Sequence, residues 1–198
     1  MEEIDEAANI IKKGGIVVFP TETVYGIGAD ALNEDAIRKL YSAKGNPLNK
    51  KTSILVSSIE MLESVTQNIS DIERKLINEF FPGPLTLVLH KKECIPDILT
   101  NNEDNVGVRM PANKTAINLI NKVGRPIATT SANLHGELSG TDIEYVHKSF
   151  GNKVDYYIDG GNSEIGFGST VLQIIDGIPH IYRQGSITKE QIDKVLKL

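Results

Sequence analysis

The chain has 198 residues, of which 40% are hydrophobic and 24% charged, and its net charge is −5. That length is enough for one large domain or two small ones with a substantial core. No apolar run reaches the roughly 20 residues of a bilayer-crossing helix, so a membrane partner is not expected. The negative balance argues against a protein whose main task is coating nucleic acid, because such binding rests on neutralising many phosphates. The acidic, helix-patterned start, MEEIDEAANIIKK, is wrong for a secretory signal, and the single cysteine, Cys94, has no intramolecular disulfide partner. A cytoplasmic location is therefore expected.

In chain order, residues 3–13 predict an amphipathic helix with Ile4, Ala7, Ile10 and Ile11 on one side. Residues 16–19 predict a buried strand, which runs abruptly into the polar Thr21-Glu22-Thr23 and then Gly26 and Gly28. Asn33 reads as an N-cap, followed by acidic Glu34 and Asp35, and that helix stops near Lys44-Gly45. Further strands are predicted at 53–56, 85–90, 105–109 and through RPIATTSAN, with helices at 58–66, 70–80 and 112–122, the last ending at Gly124. Residues 141–149 predict a helix, 154–158, 170–174 and 178–182 predict strands, and 187–196 a terminal helix. The short Asp176-Gly177 turn implies antiparallel pairing of the last strands, so the sheet should be mixed. With no repeat and no linker-like stretch, one α/β domain spanning 1–198 is expected.

The stretch Gly26-Ile-Gly28-Ala-Asp-Ala31 fits the dinucleotide fingerprint only superficially. Its glycines do not directly follow the strand, and no acidic residue ends a second strand about 20 residues on. These glycines read instead as a tight backbone turn. There is no GxxxxGK[ST] phosphate loop. His90, His135, His147 and His180 show no ligand spacing, so no metal held by protein ligands is expected.

What remains is a set of polar residues at strand ends. Thr21, Glu22 and Thr23 follow the first strand, and Arg109 ends another, where an arginine near a core calls for a carboxylate or phosphate. Ser131 and Asn133 sit where a strand becomes a loop, GFGST precedes a later strand, and Arg183 closes the last one. Lysines 44, 50 and 51 cluster along the chain, as do 91 and 92. In open α/β sheets the crevice beyond strand ends is where ligands bind. Several such loops rich in hydroxyls and cations suggest a pocket for a small polar anion and a phosphate-bearing partner.

The combination PTETVYGIG, AKGNP, VGVRMP, TSAN, GST and YRQG, in this order and at these spacings, resembles the YrdC-like family over essentially the whole chain. The resemblance implies a twisted mixed parallel/antiparallel sheet flanked by helices around a concave basic cavity. It also implies synthesis of threonylcarbamoyl-adenylate and pyrophosphate from L-threonine, bicarbonate and ATP. Other tRNA-modifying transferase proteins would then pass the threonylcarbamoyl group to tRNA, with weak binding of tRNA itself as a further implication.

Carried across, Thr23, Arg109, Thr129 and Ser169 would hold L-threonine. Lys44, Asn46, Lys50, Asn105, Ser131, Asn133, Ser139 and Arg183 would hold ATP, accompanied by Mg²⁺. Lys44 and Arg109 would act by positioning and charge stabilisation, without a covalent intermediate. Glu22 would orient its loop or serve as a base toward the amine. Three positions depart from the family pattern. Asn46 stands where arginine is usual, and a neutral amide cannot replace a bidentate guanidinium. Asn105 stands where threonine is usual, and Leu55 where some members have histidine. The ending after one short helix implies the short form of the family, its site closed by its own loops or left open. The rival reading is a YrdC-like RNA-binding module without adenylating activity.

Overall fold

Residues 2–45, 50–134 and 140–198 are described by the computed structural model. The chain opens with α1 (Glu2–Lys12), β1 (Val17–Phe19), β2 (Gly26–Asp30), α2 (Glu34–Lys44) and β3 (Ser53–Leu55). It continues through α3 (Ile59–Val65), α4 (Asp71–Phe80), β4 (Leu85–His90), α5 (Asp97–Thr100), β5 (Asn105–Arg109), α6 (Lys114–Val123) and β6 (Ile127–Ser131). The last third holds α7 (Ile143–Phe150), a 3-10 turn at Gly151–Lys153, β7 (Tyr156–Tyr157), β8 (Thr170–Ile175), β9 (Ile178–Arg183) and α8 (Lys189–Leu196). Among the described residues no helix is long and apolar enough to cross a membrane.

Local signals set the helix ends. Asn33 caps α2 by accepting from the Ala36 amide at 3.2 Å, and Gly45 ends it at φ 64°, a left-handed conformation that glycine adopts without a Cβ penalty. Ser70 and Glu73 form a reciprocal capping box at the start of α4. Asp176 and Gly177 both have positive φ, which suits the two-residue turn joining β8 to β9 antiparallel, as the sequence predicts.

All nine described strands form one sheet in the order β7-β1-β2-β6-β3-β5-β4-β8-β9. Parallel pairs (β1/β7, β3/β5, β4/β8) interleave with antiparallel ones, so the sheet is mixed. One expectation is overturned. Gly26 and Gly28 lie in the buried strand β2 rather than in a turn, with β1 on one side and β6 on the other. A Cβ on Gly28 would stand 2.6 Å from Ile127 Cγ2, and one on Gly26 2.9 Å from Thr129 Cγ2. Glycine is needed there for close packing. The short α5 was not expected, and the strand predicted at 154–158 shrinks to Tyr156–Tyr157.

The two faces of the sheet differ. One packs on a large core holding Leu85, Leu87, Leu89, Val106, Val108, Ile54, Ile27 and residues of α2, α4 and α7. On the other, Val17, Phe19, Leu55 and Ile127 pack against Ala8 and Ile11 of α1 and Leu119 and Ile120 of α6. Further along this second face, over β5, β4 and β8, the alternate residues Thr86, Val88, Asn105, Gly107, Arg109, Val171 and Gln173 line an open cavity of about 670 Å³. Strand alternation supplies both surfaces, because successive side chains point to opposite faces.

Candidate active site

After β1 the chain folds into a hydroxyl-bonded turn. Thr21 Oγ1 accepts from the amides of Thr23 (3.3 Å) and Val24 (3.4 Å) and donates to the Val24 carbonyl at 2.6 Å. With that proton committed, Thr23 donates the 2.9 Å bond between the two hydroxyls. A second strap holds the turn from above, as Ile165 and Gly166 donate backbone hydrogen bonds to the carbonyls of Glu22 and Thr23 at 2.9 and 2.8 Å.

Arg109 ends β5 beside this turn and is 7% exposed. Its Nε donates to Gly83 O at 3.2 Å and its Nη1 to Thr23 Oγ1 at 2.9 Å. Its Nη2 lies 2.7 Å from Glu22 Oε1, forming a buried ion pair. That contact is off-axis: among the described residues neither Nη2 nor either Glu22 carboxylate oxygen has a hydrogen-bond partner. Next to Arg109 in the sheet, Thr86 Oγ1 and Ser169 Oγ are 2.7 Å apart. Arg183 then donates from Nε to Ser169 O at 3.0 Å and from Nη2 to Ser169 Oγ at 3.1 Å. Its guanidinium lies flat over Gly168, where a Cβ would come within 3.2 Å of Cζ. Burial, aided by the Arg109 charge, pushes Arg183 below the ordinary arginine range.

Most of the residues expected at the site come together. Thr23, Lys50, Asn105, Arg109, Thr129, Ser131, Ser169 and Arg183 all line the one cavity, as does Leu55. Thr129, half-buried, turns its hydroxyl onto Ile127 O at 3.1 Å. Lys44, expected to help hold ATP, is not among the residues that line the cavity. It is buried behind the wall, donating from Nζ to the carbonyl of Ser131. Burial, and secondarily the charge of Lys50, lowers its pKa to about 8. Asn133 also supports that wall, accepting a hydrogen bond from Ser131 Oγ. Asn46 and Ser139 lie outside the described residues.

Sequence reasoning missed several lining residues. Thr86 was findable, because its even position in LTLVLH sets it opposite the buried leucines. Tyr182, whose hydroxyl donates to Gln173 Oε1 at 2.7 Å, and Glu103, which pairs with Lys51 at 2.5 Å, carried no comparable signal. The charged residues lining the cavity are Lys50, Lys51, Arg109, Arg183 and Glu103.

A family model for Sua5, YciO and YrdC proteins, described as telomere recombination, matches residues 9–185. The chain belongs to this family. It is 43% identical over 190 residues to a threonylcarbamoyl-AMP synthase of Pyrococcus abyssi, covering 96% of this chain and 56% of the relative. It is 41% identical over 198 residues to a threonylcarbamoyl-AMP synthase of Bacillus subtilis, covering 98% and 56%. The chain thus spans little more than half the length of these two relatives. Among solved structures, P. abyssi Sua5 complexed with L-threonine superposes with a TM-score of 0.95 at 43% identity, over 98% of this chain and 57% of that one.

Proposed function

We propose that this chain is a threonylcarbamoyl-AMP synthase, a nucleotidyltransferase that joins L-threonine, bicarbonate and ATP and releases pyrophosphate. The observation that carries the reading is the single cavity in which Thr23, Arg109 and Ser169 meet Lys50 and Arg183. The names of the relatives favour it over a non-catalytic RNA-binding module. The unbroken sheet supports treating residues 1–198 as one domain, and the family reading supports a cytoplasmic location.

In this reading the amino acid lies at the Arg109 end and the triphosphate toward Lys50, Lys51 and Arg183. The threonine amine combines with bicarbonate, losing water, to give a carbamate. A carbamate oxygen then attacks the α-phosphorus of ATP, and the bond to the β-phosphate oxygen breaks as pyrophosphate leaves. The enzyme forms no covalent bond. Its contribution is alignment, from a guanidinium held by Gly83 O and Thr23 Oγ1, and charge stabilisation by fixed cations in a partly dry site. Glu22 is buried in an ion pair with Arg109, which argues against proton abstraction as its role. The cationic lining, with Glu103 tied to Lys51, does not suit a protein-held Mg²⁺. Magnesium would enter as part of the ATP substrate. Downstream transferases and weak tRNA contact complete the proposed setting.

The test is pyrophosphate release combined with mass spectrometry of the product. Release is expected to require both threonine and bicarbonate, and the product mass to be that of threonylcarbamoyl-adenylate. Arg109→Ala is expected to abolish the threonine dependence. Release that is indifferent to threonine would refute the substrate assignment.

A further inference from the structure

Arg109 and Glu22 form a buried pair of unusual balance. Two of the three nitrogens of the guanidinium are held by neutral acceptors, Gly83 O and Thr23 Oγ1, so orientation is secured without the carboxylate. Glu22 therefore brings charge more than direction. Its Oε1 lies 2.7 Å from Nη2, and among the described residues neither buried carboxylate oxygen has a hydrogen-bond partner. Nor can its backbone readily withdraw, since the Ile165 amide grips the Glu22 carbonyl.

Electrically, Glu22 offsets the charge of Arg109, while Arg183, near enough to feel that charge, stands beside it as a further cation. Among the described residues Arg183 has no carboxylate within ion-pair distance and holds Ser169 instead, and Lys50 also lines the cavity. The cavity thus holds one compensated guanidinium, Arg109, beside cations, Arg183 and Lys50, that have no ion-pair partner among the described residues. In a partly desolvated site such charges act over several ångströms without contact. A bare cation at the amino-acid end would attract any carboxylate. A cation backed by a fixed anion favours a ligand that carries both charges.

We propose that Glu22 sets the charge selectivity of the Arg109 end, so that it accepts an α-amino acid in preference to the same carboxylate lacking the amine. This rests on the assignment of that end to threonine, and it adds a repulsive element to the recognition already described.

The test is equilibrium binding, in the absence of ATP, of threonine and of its hydroxy-acid analogue, in which a hydroxyl replaces the amine. Wild type, Glu22→Gln and Glu22→Asp would be compared, with thermal melting to confirm folding. Wild type is expected to prefer threonine by roughly tenfold or more, and Glu22→Gln to bring the two ligands to within about threefold of one another. Glu22→Asp, which keeps the charge but draws it back by one methylene, is expected to fall between, and it decides the matter if the glutamine variant does not fold. An unchanged preference in the folded variants, or no preference in wild type that still binds threonine, would overturn this inference and leave the threonine assignment intact. Failure of wild type to bind either ligand would instead overturn the assignment, and the inference with it.

Discussion

Lys44 shows how a residue can be costly to the fold and useful to the site. It ends α2, where a cation complements the helix dipole, yet it is 3% exposed, and among the described residues its ammonium has the Ser131 carbonyl alone as a hydrogen-bond partner. Its pKa is lowered from 10.5 to about 8, so between those values the unfolded chain binds more protons than the folded one. Stability therefore rises with pH across that window, and the cost of the buried charge is fully present below it. The Ser131 carbonyl also accepts from the Asn133 amide at 3.0 Å, so removing Lys44 leaves it satisfied. Lys44→Met is expected to raise the melting temperature at pH 7 by roughly 2–4 °C while raising KM for ATP. In wild type, KM for ATP should climb as pH passes about 8, and in Lys44→Met that climb should flatten. Calorimetry and initial rates across pH check both.

At the scale of elements, β2 governs how closely the sheet is drawn together beneath the site. Phe19, Ile127 and Thr129 occupy the space that side chains at Gly26 and Gly28 would take. Gly28→Ala would set a methyl 2.6 Å from Ile127 Cγ2 and 3.1 Å from the Ala128 carbonyl. The expected loss is about 1–3 kcal/mol, measurable by denaturant unfolding. The glycine pattern could not disclose this in advance, because glycine is depleted in strands and enriched in turns, and local preference therefore pointed the wrong way. By contrast β4 was legible. Its leucines alternate with Thr86 and Val88, which is the period of a strand with one buried face. The Asn33 cap was equally legible, since it bonds an amide three residues on, whereas the same pattern at Ser70 was not read.

For the whole molecule, the net charge is −5, whereas the described charged residues lining the cavity are four cations and one carboxylate. Ion pairs such as Lys39–Asp155 and Arg74–Glu63 lie at exposed positions and contribute little to stability. The lining cations are the ones that would meet phosphates. Raising ionic strength from about 0.05 to 0.5 M should raise KM for ATP roughly threefold or more, because screening shortens the reach of uncompensated charge. KM for threonine should change less than about twofold, because Arg109 already has Glu22 beside it. Steady-state kinetics in a salt series measures the two together.

The amino-acid order by itself determined most of the alternation of helices and strands and the Asn33 cap of α2. These depend on neighbours a few positions apart, where side-chain period and hydrogen-bonding reach act directly. Only the tertiary structure decided that Thr23 and Arg109, 86 positions apart, share a hydrogen bond, that Lys44 stands behind the cavity wall, and that Glu22 backs Arg109. Those contacts follow from strand order, and strand order is set by burying two apolar faces at once, a property of the assembled sheet that no short stretch of chain carries.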